Sequence, residues 1–208
     1  MSIVKLNNNG VKNASAFGSV SASSLGSMVL IKKLTASSSA TLSFVDGSSS
    51  VVLDNTYKEY LFTFNNIHPA TSGANLEFQG NASGGSGFNE TITSTNFNPY
   101  HLESGSEHIL RYMTAQDQAQ GTSYQRISED VNNDNDGCLA GHLYLYNPSS
   151  TTFVKHFMSQ TQIMSSGNGS YGTFCAGYFN TTSAIDEISF KFHSGNIDAG
   201  DICLYGIN

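Results

Sequence analysis

Wherever the chain shows a clear apolar pattern, it repeats every two residues. In YKEYLFTFNNIHP (57–69), Tyr60, Phe62 and Phe64 fall on one side of an extended chain, with Glu59, Leu61, Thr63 and Asn65 on the other. Alternation of this period, with aromatic residues on one side, predicts a strand with one buried face. Pro69 lacks an N–H and biases His68 toward an extended backbone, so the ladder is expected to end there, with NNIHPAT as the closing edge turn. GHLYLYNP (141–148) repeats the pattern, setting His142, Tyr144 and Tyr146 against Leu143 and Leu145. After the Pro-Ser-Ser turn, TTFVKHFMSQT (151–161) reads as the second arm of a hairpin.

Further strand signals are MVLIKKL (28–34), ATLSFV (40–45), NLEFQ (75–79), YGTFCAGYFN (171–180), EISFKFHS (187–194) and DICLYGIN (201–208). TASSS (35–39), DGSSS (46–50) and the Gly/Ser/Asn stretch GNASGGSGFNE (80–90) separate some of them as turns and loops. About nine or ten short strands joined by such turns predict an all-β fold: one antiparallel β-sandwich or jelly roll over residues 28–208. EHILRYMTAQDQAQ (107–120) is ambiguous: Ile109, Tyr112, Met113 and Gln116 suit a short helix, and the segment equally suits a strand followed by a loop. There is no heptad seam and no collagen-like repeat, so the chain cannot build a long fibre shaft by itself.

Residues 1–27 break the pattern. NASAFGSVSASSLGS buries little apolar surface alone, and Ile3, Val4, Leu6, Val11, Phe17 and Val20 are its anchors. The segment reads as an extended N-terminal arm that orders against a neighbour, or as a plain flexible terminus.

Composition sharpens this picture. Charged residues are 12% of the chain against 38% hydrophobic, so Ser, Thr, Asn, Gln and Gly must supply most of the polar surface. The net charge is −7, and the nine Lys and Arg residues are scattered, with Lys32-Lys33 as the one adjacent pair. Nucleic-acid binding and polybasic membrane contact are not expected. Cys138, Cys175 and Cys203 cannot all pair and form no CxxC, so free thiols made in a reducing compartment are expected. MSIVKLNNNG has no apolar core of a secretory signal, and no stretch reaches the ~20 apolar residues of a membrane span. Sequons at Asn13, Asn81, Asn89, Asn168 and Asn180 are chance products of an Asn/Ser/Thr-rich chain.

Candidate chemistry is sparse. In DVNNDNDG (130–137), Asn132, Asp134, Asp136 and Gly137 match the opening of a calcium loop. The twelfth position, where a bidentate Glu belongs, is Leu143, so a polar turn is the plainer reading. Six dispersed histidines lack helical zinc spacing; His142 and His156 are the pair a hairpin would bring nearest. No G-x-S-x-G elbow, P-loop or dinucleotide fingerprint is present, so neither an enzyme nor a cofactor is expected. The ten tyrosines, with no tryptophan, are the remaining lead. Tyr112, Tyr124, Tyr144, Tyr146, Tyr171 and Tyr178 suit a sugar- or protein-binding face, and serve equally as half-buried sheet positions.

Longer stretches carry a resemblance: KLNNNGVKNASAFGS, TASSSATLSF, YKEYLFTFNNIHPAT, NPSSTTFVKHF and NTTSAIDEISFKFHSGNIDAGDICLYGI. Together they resemble a family of small β-rich virion proteins of tailed bacteriophages, frequent among marine phages of cyanobacteria and Pelagibacter-like hosts. Its Tyr-x-Glu-Tyr-x-Phe strand and Asn-Ile-x-Pro-Ala-Thr turn correspond to Tyr57, Glu59, Tyr60, Phe62 and Asn66 to Thr71. Its closing Phe-x-Ser-Gly-Asn-Ile-x-x-Gly corresponds to Phe192 through Gly200.

The resemblance implies a non-enzymatic structural protein on the virion surface, made in the host cytoplasm. The leading expectation is a tail-fibre or receptor-binding (adhesin) subunit, a homo-oligomer with a trimer favoured. It would be anchored to other virion proteins through Ile3, Val4, Leu6, Val11 and Phe17. Tyr112, Tyr124 and Tyr171, with loops 80–106, 130–140 and 163–172, would touch a host glycan or protein. The alternative is a capsid decoration or cement protein using the arm across capsomers. A polysaccharide-active enzyme is the weaker third reading.

Overall fold

A computed structural model of the chain describes residues 27–208, in which thirteen strands and no helix occur. The anchoring residues expected at Ile3, Val4, Leu6, Val11 and Phe17 lie outside the described residues. The strands are β1 (Met28–Thr35), β2 (Leu42–Val45), β3 (Glu59–Pro69), β4 (Leu76–Ala82), β5 (Ile92–Leu102), β6 (His108–Tyr112) and β7 (Ala119–Gly121). They continue as β8 (Gln125–Arg126), β9 (Leu139–Tyr146), β10 (Lys155–Met164), β11 (Gly169–Phe179), β12 (Ile185–Phe192) and β13 (Ile197–Ile207).

Two antiparallel sheets pack face to face. The larger has the order β1-β13-β3-β9-β10-β11-β5-β6, with β7 also on β5; the smaller has the order β2-β12-β4-β8. Four strands of the larger sheet, β1-β13-β3-β9, and the four of the smaller are those of a jelly roll. The chain passes from sheet to sheet through β1, β2, β3 and β4, and closes through β8, β9, β12 and β13. Two insertions widen this frame. Residues between β4 and β8 supply β5, β6 and β7, and residues between β9 and β12 supply β10 and β11. They add β10-β11-β5-β6 beyond β9, extending the larger sheet past the smaller one.

The alternation read in the sequence builds the core. Tyr60, Phe62 and Phe64 of β3 are all buried. Edge-to-face and tilted rings run from the larger sheet to the smaller: Phe62 to Phe44 at 5.3 Å, Phe62 to Phe190 at 5.2 Å and Phe64 to Phe190 at 5.4 Å. Phe78 continues the chain to Phe157 at 4.9 Å and Phe179 at 6.0 Å. Such pairs add to the area each ring removes from water. Tyr60 is buried to the hydroxyl, which donates to the Asp54 carbonyl at 2.9 Å.

The structure corrects or decides between the sequence expectations in three places. First, the ladder ends at Pro69 as expected, but Asn65–Pro69 belongs to the strand and is not part of an edge turn. Asn66 takes a left-handed φ of 52° and forms a bulge, after which Ile67, His68 and Pro69 stay paired. The bulge shifts the inward parity by one, so Ile67 and Pro69 are buried. Second, 107–120 forms no helix; it gives β6, a turn and β7. Third, the expected loop 80–106 contains an eleven-residue strand, β5. Its inward positions include Ser94, Asn96 and Asn98, so the usual apolar signal is absent there. These polar groups bond to other chain segments: Asn96 Nδ2 donates to the Arg126 carbonyl (3.2 Å) and Asn98 Nδ2 to that of Gly172 (3.0 Å). The Gln125 amide also donates to the Gln116 carbonyl at 3.0 Å.

Candidate functional site

The extension β9-β10-β11-β5-β6 has two unlike faces. Inward stand Leu143, Leu145, Phe157, Ile163 and Phe179, with the polar layer just described. Strand alternation sends the intervening residues outward: His142, Tyr144 and Tyr146 of β9; His156, Met158, Gln160 and Gln162 of β10; Gly172, Phe174, Ala176 and Tyr178 of β11; Thr95, Phe97 and Pro99 of β5; Leu110 and Tyr112 of β6. Register aligns them in rows across the sheet. One row runs His142, Gln160, Phe174, Phe97, Tyr112, and the next Tyr144, Met158, Ala176, Thr95.

Several of these apolar side chains lie in the open: Leu110 is 69% exposed, Tyr112 57%, Met158 55% and Phe97 42%. Phe97 and Phe174 stack nearly parallel at 4.9 Å, and Tyr144 and Tyr146 stack at 6.1 Å. Exposed aromatic and apolar side chains gathered on one sheet face, with neutral polar ones between them, are the kind of surface that marks an interaction site.

This outward face carries no Asp, Glu, Lys or Arg. The only such residues on these five strands, Lys155 and Arg111, turn inward. Lys155 is buried, and its Nζ donates to the carbonyls of Phe153 (2.9 Å) and Thr181 (3.1 Å). Burial lowers its pKa, partly offset by the Glu90 charge. Arg111 pairs with Glu129 and lies over the Tyr100 ring at 5.0 Å. His142 is held below its usual pKa by desolvation, so it is neutral at pH 7. At the opposite end of the same sheet Lys33 and Asp201 form an exposed ion pair at 3.2 Å.

Small residues cut two slots into the face. One, of about 480 Å³, has Ala176 and Gly177 at its base, with Tyr146, His156, Met158 and Tyr178 around it. The other, of about 310 Å³, lies over Gly172 between Gln160, Gln162, Pro99 and Phe174.

Of the six tyrosines singled out in the sequence, Tyr112, Tyr144, Tyr146 and Tyr178 share this face. Tyr171 does not; it stacks on Tyr100 at 4.6 Å and packs against the core. Tyr124 lies beside the smaller sheet, with the Lys191 ammonium 4.4 Å from its ring centre. Tyr112, Tyr124 and Tyr171 therefore do not form one site. Phe97, Phe174, Met158 and Leu110 were missed by the sequence reading, although the alternation Thr93, Thr95, Phe97, Pro99 was there to be read. Each expected contact loop overlaps strands: 80–106 takes in the end of β4 and all of β5, 130–140 reaches the start of β9, and 163–172 takes in the end of β10 and the start of β11.

At the calcium-like stretch, Asn132 Oδ1 accepts from the Asp134 N–H at 2.9 Å, and its Nδ2 donates to Asp134 Oδ2 at 2.9 Å. The two side chains close a polar turn on each other. Among the described residues no three His, Cys, Asp or Glu side chains are grouped to hold a metal ion. His142 pairs in register with Gln160, while His156 faces Tyr178, so the hairpin does not bring these histidines together. The three cysteines are free thiols.

No known protein-family model, curated protein or solved structure matches this chain.

Proposed function

We propose that this chain is a non-enzymatic structural protein displayed on the surface of a bacteriophage particle, as a tail-fibre or receptor-binding subunit. The observation that carries this reading is the widened sheet. Four strands beyond the minimal jelly roll, together with β9, hold up an exposed aromatic face without Asp, Glu, Lys or Arg. That face fits recognition by contact better than bond-breaking chemistry, which calls for positioned acids, bases or nucleophiles. The sequence resemblance to phage virion proteins supports the particle context. Such a subunit is expected to work as a symmetric homo-oligomer, a trimer, joined to other virion proteins through residues 1–27.

Cryo-electron microscopy of the virion tests this. Density for the jelly roll on the tail or at fibre tips is the expected result. Density repeated over the head lattice would overturn it in favour of a capsid decoration protein. Incorporation that survives deletion of residues 1–27 would remove their anchoring role.

A further inference from the structure

We infer that the outward face of β9-β10-β11-β5-β6 is a binding site for an uncharged polysaccharide, read along β11 by two slots on either side of the Phe97–Phe174 stack. The inference rests on the reading of this face as a recognition surface, and it names the ligand class. Charge is the first argument. The chain carries −7 overall, yet this face has no Asp, Glu, Lys or Arg, and the two such residues on its strands are turned away. A polyanion would find no Lys or Arg here, and a charged protein epitope no carboxylate, ammonium or guanidinium to pair with. The ligand that matches is neutral.

Shape and polarity give the second argument. A pyranose ring has apolar C–H faces and a rim of hydroxyls. It needs aromatic walls for the first and neutral donors and acceptors for the second. Both slots combine them: Tyr146, Tyr178 and His156 in one, and Phe174, Gln160 and Gln162 in the other. Their floors, Gly172 and Ala176, are four residues apart on β11, about 13 Å at ~3.3 Å per residue, so a glycan chain can engage both at once. A second copy of this chain is disfavoured as the occupant. Gln160, Gln162, His142 and Thr95 interrupt the rings, whereas the core of a lasting subunit interface is mostly apolar.

The test is native affinity electrophoresis of the full chain. Gels would contain a soluble glucan, mannan or galactan, with alginate and a sulfated galactan as polyanionic contrasts. The expected result is retardation by at least one neutral polysaccharide and by neither polyanion, unchanged by added salt. Phe97→Ala combined with Phe174→Ala should weaken that binding by about tenfold or more. Gly172→Val guards against simple misfolding. A Cβ at Gly172 meets only ordinary contacts, at 3.6 Å or more, and the slot above it receives the two γ-methyls, so a variant shown to be folded by its melting temperature should lose affinity.

No retardation by any neutral polysaccharide, retardation by the polyanions alone, or full binding by folded Gly172→Val would each overturn the proposal. So would a native oligomer that Tyr112→Lys dissociates in sedimentation, because this face would then be covered by another copy. Binding is measured on the isolated protein, so its failure is separable from a finding that the subunit sits elsewhere on the particle.

Discussion

Phe62 is fully buried, with Phe44 and Phe190 on the opposite sheet packed against it. Phe62→Ala removes a ring that both sheets share, and should cost about 3–5 kcal/mol in urea unfolding. A loss well below 1 kcal/mol would mean that the site collapses around the gap. The cysteines allow a sharper check at the same scale. Desolvation, with the Asp117 charge adding to it, pushes the buried Cys175 thiol up to about 12, and Cys203 is also buried. Cys138 is only half-buried and borders a surface cleft. Under native conditions iodoacetamide should label Cys138, leaving Cys175 and Cys203 for the unfolded chain. Peptide mapping that found Cys175 labelled first would contradict the burial described.

At the scale of elements, β3 shows how one residue redirects a strand. Asn66, at φ 52°, inserts the bulge that lets Ile67 take up the inward position after Phe64. Opposite it, Gly200 has φ 109°, and a Cβ there would come 2.4 Å from the Asn66 carbonyl oxygen. Asn tolerates the left-handed region and a β-branched residue does not. Asn66→Gly should therefore leave stability nearly unchanged, while Asn66→Val should lower it by about 1–3 kcal/mol in denaturant unfolding. Equal effects would show that side-chain contacts, not backbone conformation, matter at this position. β5 teaches the opposite lesson. Its alternation is present, but its inward positions include Ser94 and the amides of Asn96 and Asn98, and its outward ones include Phe97 and Pro99. Hydrophobicity alone points the wrong way there.

For the whole molecule, stability depends on pH partly through the smaller sheet, where the β4–β12 ladder is extended at one end by a pair of hydrogen bonds between Asn75 and His193. The Asn75 N–H donates to His193 Nδ1 at 2.9 Å, and the His193 N–H donates back to the Asn75 carbonyl at 3.0 Å. Protonating Nδ1 would abolish the first bond. Desolvation, then the charges of Arg126 and Lys191, lower the His193 pKa; desolvation alone lowers that of His142. Both folded values lie below the unfolded one, so the folded state binds fewer protons in that interval. The stability these residues contribute is fully present above the ordinary histidine value of 6.5 and is lost as pH falls from there through the folded values. The melting temperature should therefore drop between about pH 7 and about pH 5. His193→Gln, which keeps an acceptor but does not titrate, should flatten part of that drop. An unchanged slope in the variant would remove His193 from the account.

Local patterning determined a good deal by itself. Alternation in 57–65, 141–148 and 187–194, with turn residues between, is dictated by strand geometry and the burial of one face, so an all-β sandwich was legible before any fold was seen. The scarcity of charge was equally plain. Tertiary structure decided which strands are neighbours: β1 pairs with β13 and β12 lies between β2 and β4, pairings set by long-range ladders that no local pattern encodes. It decided that Tyr112, Tyr144 and Tyr178 share a face with Phe97 and Phe174, while Tyr171 turns inward and Tyr124 lies against Lys191. A strand's period says that two faces exist. Only its neighbours, and what covers each side, decide which face meets the core and which meets a partner.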